Sequence, residues 1–163
     1  MTQKIKPCLW FDGNAEEAAA FYTSIFKNSE IGAKSTYDEK AADVVGQPKG
    51  STMVVEFEIA DQKFVGLNGG PKFKFNEAIS LMISCKDQEE IDYFWSRLTA
   101  EGGEESQCCW LKDKFGLSWQ VIPANLNEFI GGPDAEGSKR AVAALLKMRK
   151  PDIQTLKNAY EGE

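Results

Sequence analysis

The sequence predicts an α+β protein of two paired βαβββ units, their strands forming a curved mixed sheet around a cavity, with helices after the second unit. Three observations predict it. Asn14-Ala15-Glu16-Glu17 with Phe21-Tyr22-Thr23-Ser24-Ile25 returns as Asp87-Gln88-Glu89-Glu90 with Phe94-Trp95-Ser96-Arg97-Leu98, and 87 − 14 gives a constant offset of 73 positions. Self-similarity at such a spacing marks a fold assembled from copies of one unit, and two copies are too few for a stacked solenoid. Each copy also follows an apolar strand-like run, Cys8 to Phe11 and Ile79 to Ile83. Finally, the strand-like runs alternate an apolar file with a mixed one, the pattern of sheets with two different faces.

The elements follow in order. Strands are expected near 4–11, 30–37, 51–59, 62–68, 78–85, 107–112 and 117–122, with a weaker one at 103–106. Ala60-Asp61-Gln62 and Asp113-Lys114-Phe115-Gly116 carry hairpin-turn residues. Helices are expected over 14–26 and 87–100, because Asn14 and Asp87 are N-cap residues with Glu17 and Glu90 three positions on. Their aromatic pairs fall on one face at helical spacing and read as core stripes. The polar stretch Asp38 to Gly50 occurs in one copy only and reads as a loop, a possible lid. Beyond Pro123 the chain turns helical. Asp134 caps a helix running to about Arg149, with Ala141, Ala144, Leu145 and Met148 as its buried stripe. Pro151 stops it, and a last short helix ends at Gly162. One domain over 1–163 is expected, with unit one at about 4–70, unit two at about 77–123 and an extension over 124–162.

Alternation assigns faces. Val65 and Leu67; Ile79, Leu81 and Ile83; Leu117, Trp119 and Val121; Cys8 and Trp10 form the apolar file, expected beneath the helices. The mixed file then faces the cavity and places Leu9, Phe11, Phe64, Asn68, Ser80, Met82 and Gln120 on its wall. Small-molecule sites have this composition, mostly apolar with a few convergent polar groups.

Composition narrows the chemistry. The 163 residues include 25 acidic against 19 basic, a net charge of −6, which argues against a nucleic-acid partner. No apolar run approaches the roughly 20 residues that span a bilayer, and MTQKIKPCLWFDG lacks the apolar stretch of a signal peptide. A cytoplasmic protein is expected. There is no histidine, and the four cysteines, at 8, 85, 108 and 109, form no CxxC pair. They read as reduced, small apolar residues rather than zinc ligands.

The phrases CLWFDGNAEEAAAFY, FVGLNGGP, EEIDYFWSRL and WLKDKFGLSWQVIP resemble the PhnB-like branch of the glyoxalase/bleomycin-resistance (vicinal oxygen chelate) superfamily. The likeness covers roughly 4–123, with Trp110 to Pro123 its most specific piece, and LLKMRKPDIQTLKNAYEG resembles the same branch. The family name of such sequences, a demethylubiquinone methyltransferase-like domain, has no matching glycine-rich strand-to-helix loop here, and Gly69-Gly70-Pro71 reads as a turn. The resemblance implies metal-ligand positions near Pro7, Gly66, Ser80 and Gln120, of which Gln120 alone is a usual ligand type. No metal and no cofactor are therefore expected. It also implies a homodimer, with an interface expected to include the edges of the two units and the C-terminal helix with Leu145 and Met148.

Three functional readings stay open at this point. The first is a metal-free protein that binds a small molecule of unknown identity. The second is a metal-independent isomerase, lyase or transferase working through Asp12, Glu56, Asp113 or Cys109. The third is a structural or interaction module without a small ligand.

Overall fold

The computed structural model describes residues 3–163, which divide into two compact units, the first ending at Phe75 and the second beginning at Asn76. Unit one contains β1 (Cys8–Phe11), α1 (Ala15–Ile25), β2 (Glu30–Thr36), α2 (Glu39–Val45), β3 (Thr52–Ile59) and β4 (Gln62–Asn68). Unit two contains β5 (Ser80–Cys85), α3 (Gln88–Leu98), β6 (Glu104–Glu105), β7 (Trp110–Lys112) and β8 (Ser118–Pro123). Three further helices follow, α4 (Leu126–Ile130), α5 (Ala135–Leu145) and α6 (Ile153–Glu161). The strands make two four-stranded mixed sheets, ordered β1-β4-β3-β2 and β5-β8-β7-β6. In each, the first strand runs parallel to the last and the other pairs are antiparallel. The two βαβββ-like units and the C-terminal helices are those the sequence predicts.

Local chemistry explains the elements. Ala60 and Asp61 both take positive φ, 49° and 64°, in a two-residue turn that matches the twist of the β3–β4 hairpin. Asp113 builds the β7–β8 turn: Oδ1 accepts from Phe115 N and Leu117 N, and Oδ2 accepts from the Trp119 indole at 2.8 Å. Asp87 caps α3 by accepting from Glu90 N. The Glu90 carboxylate reaches back to Lys86 N, one residue before the cap. Asn14 makes no such side-chain bond. The first amide of α1 is held from outside the helix, since Asn68 Oδ1 on β4 accepts from Ala15 N at 2.9 Å.

The stretch expected as a polar loop contains a helix. Asp38 accepts from Ala41 N, Gly46 closes α2 in the left-handed region at φ 70°, and Ala42 is buried. Tyr37 anchors the segment by exchanging backbone bonds with Gly50 and Ser51 and donating its hydroxyl to Asn68 O at 2.6 Å. The cap and stop residues were in the sequence, but one buried alanine leaves no apolar stripe to read.

In the extension, α5 ends at Leu145, so Lys147, Arg149 and Lys150 lie beyond it. Leu145 and Met148, expected in the buried stripe, pack partly buried against Phe129, Ala141 and Leu156 of the same unit. A turn at Cys108-Cys109 ties the extension down: both residues take positive φ, and their amides donate to Met148 O and Arg149 O.

The helix covers the same strand face in both units, and the strand equivalence shows which residues lie on it. Gly69 N donates to Phe11 O in unit one, and Ala124 N donates to Cys85 O in unit two, so Phe11 and Cys85 are equivalent. That equivalence spans 85 − 11 = 74 positions, whereas the helices start 88 − 15 = 73 apart. The extra residue lies in Asp12-Gly13-Asn14, against Lys86-Asp87 in unit two. Side chains alternate along a strand, so carrying the 73-residue offset onto β1 sets Trp10 rather than Leu9 against Ile83 and assigns the wrong file to the covered face. Leu9, Phe11, Phe64 and Asn68 are 8%, 3%, 3% and 4% exposed and lie under α1, not on an open wall. Tyr22 of α1 stacks on Phe57, which stacks on Phe64, and a Cβ at Gly66 would stand 3.2 Å from that of Ala15. The file expected beneath that helix, Cys8, Trp10, Val65 and Leu67, takes the other face. In unit two the expectation matches except at Ile79, which precedes β5 and is 74% exposed: Trp119 and Val121 are buried with Ile91 and Leu98 of α3, and Ser80, Met82 and Gln120 lie opposite.

Gly13 sits at φ 85° with open space around it. Gly13→Ala should cost about 1–2 kcal/mol from the left-handed backbone alone. Urea unfolding measures the cost, and an alanine variant as stable as the parent would refute the requirement for a left-handed residue at this turn.

Candidate functional site

The open face of the unit-two sheet carries the candidate site, and the ladder register orders its side chains. Residues directly opposite one another on neighbouring strands share a face. Glu104 pairs with Lys112, Lys112 with Ser118 and Ser118 with Ser80, forming one row across the sheet. Trp110, Gln120 and Met82 form the next. Gln120 is half-buried and its Nε2 donates to Ser80 Oγ at 2.9 Å. Met82 is 61% exposed. Thus three of the seven expected wall residues share an open face, and the other four belong to the covered core of unit one.

A concavity of about 120 Å³ lies beside this pair, lined by Glu77, Ser106, Trp110, Lys112 and Ser118 among others. Lys112 forms an ion pair and hydrogen bond with Glu77, which lowers the Glu77 carboxyl and raises the Lys112 ammonium from their ordinary values. Ser118 is 1% exposed, and its hydroxyl has no hydrogen-bond partner among the described residues. The sequence placed Ser118 in the mixed file but gave no sign that its hydroxyl would be buried and unpaired. Trp110, Lys112, Glu77 and Glu104 were likewise missed, because their convergence depends on the β6–β7 register.

Unit one has a concavity of about 130 Å³ on its own open face, among Lys6, Glu30, Glu56, Glu58 and Lys63. Its charges are largely matched, Lys6 to Glu56 at 3.3 Å and Lys63 to Glu58 at 4.0 Å. Asn68 is committed to structure: besides holding Ala15 N, its Nδ2 donates to Thr52 O at 2.9 Å.

The donor chemistry does not fit a divalent metal. Pro7 and Gly66 bring no side-chain donor, and Ser80 and Gln120 offer neutral oxygens that a hard or borderline ion binds weakly. The strand equivalence places Lys6 and Val65 opposite Ser80 and Gln120 in the repeat, which improves nothing. Lys6 is cationic and engaged with Glu56. Among the proposed nucleophiles and bases, Asp113 is spent on its turn, and burial pushes the Cys109 thiol up to about 12.

Burial also pushes Cys85 up to about 12, with Glu90 and Asp87 adding to it. Both folded thiols keep their protons while those of the unfolded chain ionise near their ordinary value of 9.0. The folded state then binds more protons, so stability should be full below pH 9 and fall as pH rises from there towards 12. Thiol labelling of the native protein at pH 8 should mark exposed Cys8 well before Cys85 and Cys109. Rapid native labelling of either buried thiol would contradict this.

Comparison with known proteins places the fold. Residues 3–122 match the family model described as 3-demethylubiquinone-9 3-methyltransferase. A solved structure from Bacillus cereus, described as a putative 3-demethylubiquinone-9 3-methyltransferase and PhnB protein, is 35% identical, with a TM-score of 0.65 over 75% of this chain and 100% of that one. A Pseudomonas aeruginosa protein is 19% identical, with a TM-score of 0.59 over 75% and 98%. The fosfomycin resistance protein FosX from Listeria monocytogenes, solved with Mn(II) and sulfate, is 19% identical, with a TM-score of 0.51 over 78% and 94%. At 19% the likeness is one of fold. No functionally curated protein matches the chain.

Proposed function

The chain belongs to the 3-demethylubiquinone-9 3-methyltransferase family, the PhnB-like branch of the glyoxalase/bleomycin-resistance superfamily, and on that premise we propose that it is a metal-free small-molecule-binding protein. The observation that carries the reading is the open face of the unit-two sheet, where Ser80 and Gln120 bond each other and pair across the ladder with Ser118 and Trp110, two residues that line the concavity. Gln120 stands where the superfamily likeness implies a metal ligand, and its amide both donates and accepts without needing a metal. The family's methyl-transfer description finds no support at the β–α junctions. They are Asp12-Gly13-Asn14 and Lys86-Asp87, neither a glycine-rich cradle for a nucleotide-type cofactor.

Native mass spectrometry of the full chain against fractionated metabolite extracts tests the reading. A retained compound is expected, and Gln120→Leu should weaken its binding by about 1–3 kcal/mol, the cost of losing a buried paired amide. Undiminished affinity in a folded Gln120→Leu protein would remove Gln120 from the site. Retention of no compound would favour a module without a ligand.

The homodimer belongs to the same reading. Leu145 and Met148 are only partly buried within the chain, and the exposed Val142 and Leu146 lie on the same extension as further apolar area for a subunit contact. Light scattering at micromolar concentration should give the mass of two chains, and a one-chain mass removes the dimer.

A further inference from the structure

The polar groups of the unit-two concavity are not balanced, and the imbalance has a sign. Lys112 is committed to Glu77. Glu105 also lines the concavity, but its carboxylate accepts from the Trp95 indole at 2.8 Å and stands 3.9 Å from Arg149. Glu104 shares the open face with Lys112, yet no described cation lies within ion-pair distance of it except through the field of Lys112. Two carboxylates therefore share one ammonium, leaving one negative charge in excess. Beneath them Ser118 is 1% exposed with an unpaired hydroxyl, and such a group is stabilised by whatever supplies its missing hydrogen bond. Trp110 adds the flank of an indole, whose face attracts cations.

We propose that this concavity takes the ammonium end of a small primary amine, with Ser118 Oγ accepting one N–H, Glu104 opposing the charge and Trp110 lying against it. The inference rests on the binding reading above and names the chemical class of the ligand's polar end. About 120 Å³ accommodates a short aminoalkyl group and leaves the rest of the molecule to run towards Gln120 and Met82. The requirement for an N–H distinguishes a primary amine from a quaternary ammonium, which satisfies Glu104 and Trp110 but not Ser118.

Titrations of the full chain with n-butylamine, tetramethylammonium and butyrate, followed through the indole N–H resonances, test it. Trp110→Phe assigns the resonance of interest. Butylamine should shift the Trp110 signal saturably, and tetramethylammonium should bind at least about fivefold more weakly. Glu104→Gln should weaken butylamine by a similar factor, and Ser118→Ala should abolish the preference for butylamine over tetramethylammonium. The melting temperature of Ser118→Ala should equal or exceed that of the parent, since the substitution removes an unpaired polar group. A lower one would show a hidden partner and overturn the proposal. Butyrate binding in place of butylamine, or amine binding unmoved by both substitutions, would also overturn it. A metabolite lost in Gln120→Leu alongside no amine preference defeats this inference alone, and no ligand of either kind defeats the binding reading with it.

Discussion

The helix after the first strand of each unit can cover only one face of its sheet, and in both units it covers the face that carries the strand's last residue, Phe11 and Cys85. This constraint governs the rest of the structure. In unit one it puts Leu9 and Phe11 under α1, where Gly66 lets the helix approach and Asn68 holds its first amide. In unit two it puts Leu81, Ile83 and Cys85 on the covered side. The open faces left on the other side differ in chemistry because their residues differ. One presents Lys6, Glu56, Glu58 and Lys63 in matched pairs, and the other presents serines, Gln120 and Trp110.

The unit-two face also depends on how its last strands are held. Asp113 fixes the β7–β8 turn through two backbone amides and the Trp119 indole, which places Lys112 and Ser118 opposite one another. At the other end of β7, the left-handed Cys108-Cys109 turn carries the backbone bonds to Met148 and Arg149, and Cys109 O accepts from Val121 N. Non-glycine residues in that region cost energy that surrounding contacts must offset. Gln88 completes the tie from α3, donating to Pro151 O and accepting from Ile153 N. The C-terminal helices thus brace the strands that bear the open face, although they contribute none of its residues.

Much of the fold was legible because it is written in local signals. The 73-residue offset of the helices, the Asp87 cap and the Ala60-Asp61 turn are each set by a few neighbouring residues, and each element lies where they indicate. The site was legible only by half. Ser80, Met82 and Gln120 were readable from alternation because the apolar file of unit two is unambiguous. In unit one both files are apolar enough to be buried, Leu9 and Phe11 as much as Cys8 and Trp10, so composition could not set the parity. The strand equivalence settles it, matching Phe11 to Cys85 at 74 positions where the helices repeat at 73. Asn68 misled for a related reason, since a polar residue in a strand suits a pocket and suits equally the amide end of a neighbouring helix. Glu104 and Ser118 were out of reach because their meaning lies in what does not pair with them.

The superfamily likeness and the chemistry of the open face lead to one consequence. A metal site concentrates anionic or imidazole donors on one ion, and here the corresponding strand positions hold a serine and a glutamine that bond each other. What remains to hold a ligand is ordinary hydrogen bonding, a modest net charge and apolar area. Such groups work only when desolvated and aimed, since exposed ion pairs and solvated hydroxyls contribute little. Lys112 and Glu77 neutralise each other, and Ser80 and Gln120 are partly satisfied already. The discriminating power therefore falls to the groups left unmatched, the Ser118 hydroxyl and the Glu104 carboxylate. Specificity in such a site follows from what the protein leaves unpaired, because a partner that fails to complete it gains nothing from entering.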